Sequence, residues 1–164
     1  MDYKQARSSI KTGDLIAIRT AHNWLGWLTQ FFTRSPYTHC GIALWIDNGL
    51  YLAELNGGRN HITPLSQWVG TDFDVYDPPL GLNHIIDSIF FWLRVPVDYG
   101  FIAFVTIGLL HWFRIKKFVH WRQNFVCSGW CVAVYEESGW PEHSRMLSPQ
   151  DLTELLSLKL EVRL

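Results

Sequence analysis

Two cysteines four residues apart stand in "NFVCSGWC", residues 124–131, and the first of them, Cys127, is followed by Ser128 and Gly129. A thiolate is a strong nucleophile, but a thiol of ordinary pKa is mostly protonated at neutral pH. A helix N-terminus and a neighbouring imidazolium both lower that pKa. The chain offers an imidazole at His39, in "SPYTHCGIAL", and a carboxylate at Glu54, in "YLAEL". Together these three groups could run acyl transfer. Cys127 would attack a carbonyl, His39 would take and return the proton, and Glu54 would orient the ring. Unpaired backbone N–H groups in the first helical turn, beginning at Cys127 itself, would hold the oxyanion of a tetrahedral intermediate.

Elements must bring these residues together. "TGDLIAIRT" (12–20) reads as a short strand after a Gly-Asp turn. "AHNWLGWLTQFFTR" (21–34) spaces its aromatic and leucine residues as a helix that ends at Ser35-Pro36. "THCGIALWI" and "LYLAEL" form a hairpin reversing at Asp47-Asn48-Gly49. If that hairpin sets residue 54 opposite 41 or 43, parity puts Glu54 on the sheet face of His39, whereas a slip of one sends it to the other face. "NGGRNHI" (56–62) reads as a loop, "TPLSQWVG" (63–70) as a single helical turn and "DFDVYDPP" (72–79) as a strand. Residues 83–94 and 98–113 read as helical segments split by Pro96. Cys127 opens a further helix closed by Gly139, "SPQDLTELLSL" (148–158) starts another, and "KLEVRL" is a last short strand.

The bulk properties narrow the function. A chain of 164 residues is expected to form a single α+β domain over 1–164. Its net charge of −1 gives no electrostatic footprint for nucleic acid. Three cysteines, an odd number, argue against a disulfide framework and for reduced thiols. The first residues lack the apolar run of a secretory signal, so the expected location is cytoplasmic or phage-associated. The run "YGFIAFVTIGLLHWF" (99–113) is shorter than the ~20 residues a bilayer crossing needs. It reads as a buried central helix, with membrane-surface contact as the alternative that would make the protein membrane-peripheral.

On residue types alone several readings stay open. A Cys near a helix start is commonly a packing residue, and a His at a strand edge a polar surface one. Cys131, one turn after Cys127, reads as core, and Cys40 should point to the sheet face opposite His39 and pack. The Cys and His spacing matches no tight structural zinc signature. His61 could reach a cleft rim.

The ordered motifs resemble the YiiX-like group of circularly permuted, NlpC-type papain-fold cysteine hydrolases. They are Gly13-Asp14, Tyr37-Thr38-His39-Cys40-Gly41, Glu54, Cys127-Ser128 and Ser148-Pro149-Gln150-Asp151-Leu152, with "VPVDYGF" (95–101) ahead of the cysteine. The resemblance implies a permuted papain-like fold, a small antiparallel sheet packed against helices, with a catalytic Cys127-His39-Glu54 triad. It implies that Ser128 and Tyr37 border the reacting carbonyl, and that no metal or organic cofactor is needed. The implied partner is a peptide, peptidoglycan or acyl-lipid substrate. The chain departs from the group's usual Cys-Ser-Glu-Leu-Val by carrying Gly129-Trp130-Cys131, which leaves the substrate open. Lecithin:retinol acyltransferase-like proteins share the permutation but place a second His where this chain has Tyr51, and fit less well. Two other classes remain beside the hydrolase: a non-catalytic binding or structural module on the same scaffold, and a protein whose task is lipid attachment through 99–113.

Overall fold

The computed structural model describes residues 2–19, 30–31, 35–99, 124–144 and 147–163. Its centre is a six-stranded antiparallel sheet of order β4-β3-β2-β1-β5-β8. The strands are β1 (Leu15–Ile18), β2 (His39–Ile46), β3 (Gly49–Asn56), β4 (Arg59–Pro64), β5 (Phe73–Tyr76) and β8 (Leu158–Val162). A short parallel pair, β6 (Asp98–Tyr99) with β7 (Asn124–Phe125), lies apart from it. Among the described residues the complete helices are α1 (Tyr3–Arg7), α2 (Ile85–Arg94), α3 (Cys127–Glu137) and α4 (Pro149–Glu154), with a 3-10 turn at Leu65–Trp68. This is an α+β fold.

The β2–β3 hairpin turns on Asp47 and Asn48, with Ile46 paired to Gly49 and Asp47 at φ 51°. Asp tolerates that left-handed backbone better than most side chains, which is why a two-residue reversal can form here. The expected loop at 56–62 is instead a second tight reversal followed by a strand. Gly57 and Gly58 take φ of 59° and 81°, and the chain returns as β4, paired from Asn56–Arg59 to Tyr51–Pro64. The expected helical turn at 63–70 accordingly shrinks to the 3-10 turn, because Thr63 and Pro64 finish the strand. Arg59, Asn60, His61 and Thr63 of β4 are polar because it is an edge strand, part-exposed along its length.

Each sheet face carries its own core. Leu15, Ala17, Cys40, Ile42 and Ala53 pack with α3. Ile16, Ile18, Ala43, Leu52 and Phe73 pack with Ile10, next to α1, and with Leu65 of the 3-10 turn. Alternation along the strands produces the two sets. Helix α3 has no solvent face over most of its length, since every residue from Cys127 to Tyr135 is buried. Trp130 and Tyr135, its largest side chains, are fully enclosed. The helix ends where Gly139, at φ 104°, lets the Trp140 N–H reach back to the Tyr135 carbonyl, the crossed hydrogen bond of a glycine-terminated helix.

Gly13 and Asp14 act as a clamp between layers. The Tyr135 hydroxyl donates to the Gly13 carbonyl, and Gly13 holds φ 98°, a backbone that strains any residue with a Cβ. Asp14 is buried and bonded to the Lys159 ammonium at 2.8 Å, tying the start of β1 to β8. The "SPQDL" segment closes into a capping box, in which Ser148 accepts from the Asp151 N–H and Asp151 accepts from the Ser148 N–H.

The expected helices at 21–34 and 98–113 fall largely outside the described residues. Gln30 and Phe31 are helical, whereas Asp98 and Tyr99 form β6 rather than helix. Among the described residues the buried central helix is α3, and no helix is long and apolar enough to cross a membrane.

Candidate active site

Strand β2 begins at His39, and the ladder from Ile42–Ala53 to Ile46–Gly49 fixes what lies beside it. In that register Glu54 shares the His39 face. Strand β4 then adds Thr63 and His61 to the same side, through the pairs Leu52–Thr63 and Glu54–His61. The result is a buried carboxylate ringed by donors. His39 Nε2 lies 2.5 Å from Glu54 Oε2, and the Thr63 hydroxyl donates to Oε1 at 2.6 Å. His61 Nε2 stands 3.6 Å from the same Oε1. Because Nε2 faces a carboxylate oxygen it carries the ring hydrogen, which leaves Nδ1 for another partner. Trp68, from the 3-10 turn, stacks on the imidazole with ring centroids 5.9 Å apart at 22°.

The other partner comes from the opposite layer. Helix α3 starts at Cys127 after Val126, an N-cap residue with no side-chain cap bond. Its first turn keeps the partial positive charge of unpaired N–H groups. Strand β7, paired with β6, delivers the chain to this point. The Cys127 sulfur lies beside the His39 ring and the Cys40 thiol, near enough for each to bear on its ionisation. Cys40 faces away from His39, as alternation requires, and that is the face on which α3 packs. It therefore lies against Cys127 and Cys131 rather than against inert hydrocarbon. All three cysteines are free thiols.

The charges are coupled. Burial opposes a charge on the His39 ring, yet the Cys127 sulfur and Glu54 raise its pKa to about 10. Contact with Cys40 and burial push the Cys127 thiol well up, against the pull of His39. Burial also opposes ionisation of Glu54, but its hydrogen bond to His39 and the imidazolium charge prevail, and its pKa falls below the ordinary value. The thiol and imidazole titrate as one unit. The imidazolium favours the thiolate beside it, and is itself favoured by both the thiolate and Glu54.

The remaining sequence candidates lie elsewhere. The Ser128 hydroxyl donates to the Leu147 carbonyl at 2.5 Å, so its side chain pins α3 to the segment before α4. Its backbone N–H, in the first turn, is the part near the sulfur. The Tyr37 hydroxyl donates to Asp74 at 2.6 Å and lies 2.6 Å from the Tyr76 hydroxyl, away from Glu54. His143 stacks on Trp140. His22, His111 and His120 lie outside the described residues. Sequence reasoning did not single out Thr63 or Trp68. The strand pairing of "RNHITP" is the signal that would have found Thr63, and nothing in the local sequence points to Trp68. Among the described residues no three His, Cys, Asp or Glu side chains converge on a point that could hold a metal ion.

Comparison with known proteins gives a fold. Neither a protein-family model nor a curated protein matches this sequence. Among solved structures the chain is similar to one described as the metalloprotein YiiX from Escherichia coli O157:H7, DUF1105. The TM-score is 0.65 at 18% identity, over 94% of this chain and 97% of that one. The likeness covers nearly all of both chains and establishes a YiiX-like fold.

Proposed function

We propose that this protein is a cysteine hydrolase of circularly permuted, NlpC-type papain-like architecture that cleaves an amide or ester through a Cys127-His39-Glu54 triad. One observation carries the reading: an imidazole held by a buried carboxylate at 2.5 Å faces a thiol at an uncapped helix N-terminus. Order along the chain supports the permutation, since the histidine strand precedes the cysteine helix.

The reaction starts with a shared proton. As the Cys127 sulfur approaches the substrate carbonyl, its proton passes to His39 Nδ1, and Glu54 stabilises the imidazolium through Nε2–H. The sulfur bonds to the carbonyl carbon, and the oxyanion turns to the first-turn N–H groups, that of Cys127 among them. The tetrahedral intermediate collapses, the leaving amine or alcohol takes the His39 proton, and a thioester remains. Water, deprotonated by His39, adds to the thioester carbonyl, and collapse returns the thiol and releases the acid. Thr63 keeps Glu54 in place, and Trp68 covers one face of the ring.

The substrate class is a peptide bond of peptidoglycan or a lipid-linked acyl group. Ile86 and Phe91, half exposed on α2, give apolar surface that suits the second. The E. coli protein is described as a metalloprotein, whereas among the described residues here no three donors converge, and both Glu54 oxygens are already bonded. A second reading, a non-catalytic module on the same scaffold, is favoured by the upward push on the Cys127 thiol.

The test is incubation of the protein with purified peptidoglycan and with phospholipid and acyl-amide panels, with products read by mass spectrometry. The hydrolase reading expects new products that Cys127→Ala does not form. Identical product profiles from both proteins would leave the inert module standing.

A further inference from the structure

The proposed chemistry uses one thiol, yet three stand together. Cys40 on β2 shares one buried core cluster with Cys127 and Cys131 of α3, its thiol close enough to both to bear on their charge, and none is in a disulfide. Cys40 and Cys131 are fully buried, while Cys127 retains 7% exposure. A small oxidant entering the site therefore meets Cys127 first and finds Cys40 directly behind it. His39 faces Cys127 and favours its thiolate against the upward push of Cys40 and burial, whereas burial and the Glu54 charge oppose ionisation of Cys40. Cys131 follows Cys127 by one helical turn, so joining those two would require a bridge along a single helix, a poor fit to disulfide geometry.

We propose that Cys127 and Cys40 form a peroxide-sensitive oxidation site, in which Cys40 converts an oxidised Cys127 into a reversible strand-to-helix disulfide. The proposal rests on Cys127 being the activated thiol of the hydrolase reading. The Cys127 thiolate attacks hydrogen peroxide, a sulfur–oxygen bond forms, the peroxide bond breaks, and the departing hydroxide takes the His39 proton to become water. The Cys40 sulfur then attacks the sulfenic sulfur. A sulfur–sulfur bond forms, the sulfur–oxygen bond breaks, and the leaving hydroxide and the Cys40 proton make a second water. The two thiols have supplied the two electrons that reduce the peroxide. The sulfurs must close to ~2.05 Å, by movement at the first turn of α3. The bridge removes the nucleophile, protects it from irreversible oxidation, and is reopened by a dithiol reductant.

The experiment treats the full chain with hydrogen peroxide, blocks remaining thiols with iodoacetamide, and maps a non-reduced digest by mass spectrometry. The expected product is the Cys40 peptide linked to the Cys127 peptide, lost on dithiothreitol treatment with full recovery of Cys127 labelling. Cys131→Ser should form the same link. Cys40→Ser, checked for folding by circular dichroism, should instead give a dimedone-reactive Cys127 that proceeds to sulfinic acid and does not recover. A wild-type chain that accumulates sulfinic acid at Cys127 with Cys40 free, or that links Cys40 to Cys131, overturns the oxidation site and leaves the hydrolase intact. A Cys127 that neither alkylates nor oxidises overturns both.

Discussion

Two carboxylates in this sheet, Glu54 and Asp74, are completely buried, and their partners differ in kind. Asp74, on β5, is held by Arg19 at 2.5 Å and Arg163 at 2.6 Å, and accepts from Tyr37 at 2.6 Å. Arg19 follows β1 and Arg163 follows β8, so the cluster bolts together the strands on both sides of β5. Glu54 is held by His39, Thr63 and, at longer range, His61. Burial opposes both carboxylate charges and their partners overcome it, leaving both pKa values below the ordinary range. A guanidinium does not give up its proton, whereas an imidazole beside a thiol can exchange one with it. The Asp74 cluster is therefore a fixed fastening, and the Glu54 cluster is one that can take part in proton transfer.

The largest effect expected is chemical. Cys127→Ala should lower turnover on any substrate the protein hydrolyses by at least about 10³-fold, while Asp74→Asn should leave turnover per folded molecule within a few-fold. Next comes the charge behind the imidazole. Glu54→Gln keeps the shape but cannot stabilise imidazolium, and turnover should fall roughly 10²-fold. A Glu54→Gln protein as active as wild type would put Glu54 in the same class as Asp74.

Stability should rank the two clusters the other way. Asp74→Asn leaves two guanidiniums around a neutral amide, and chemical denaturation should show a loss of about 2–3 kcal/mol. That is below the figure for a fully buried pair because both arginines are about one-third exposed. The pH dependence follows from the same two groups. Both carboxylates bind protons less readily when folded than when unfolded, where they titrate near 4.5 for Glu54 and 3.8 for Asp74. Their stabilisation is thus present above those values and is lost as pH falls through the lower folded ones. Urea midpoints measured from pH 6 down to pH 2 should show a shallower acid decline in either Gln or Asn variant than in wild type. The smallest effect expected is at Thr63→Val, about 1 kcal/mol of stability from one hydrogen bond, read by thermal denaturation.

The hairpin that carries His39 and Glu54 was legible because two apolar strands flank a short turn, and parity keeps both on one face whenever residue 54 lies opposite 41 or 43. That choice between registers needed the ladder itself. Strand β4 was misread since Arg59, Asn60 and His61 are polar, as an edge strand permits, and Gly57-Gly58 reads equally as a loop or a tight reversal. With β4 missed, Thr63 had no route to Glu54. Cys40 was read correctly as facing away from His39. Its meeting with Cys127 depends on which face α3 covers, and that is a tertiary fact no local pattern encodes. Ser128 shows the converse, because its position beside Cys127 says nothing of a hydroxyl turned to Leu147.

The most direct measurement is the rate of iodoacetamide labelling at each cysteine across pH, in wild type and His39→Ala, with sites assigned by mass spectrometry. The account predicts one fast thiol, Cys127, slowed by the His39 substitution, and two slow ones at Cys40 and Cys131. Three equally slow thiols, unchanged when His39 is replaced, would contradict it.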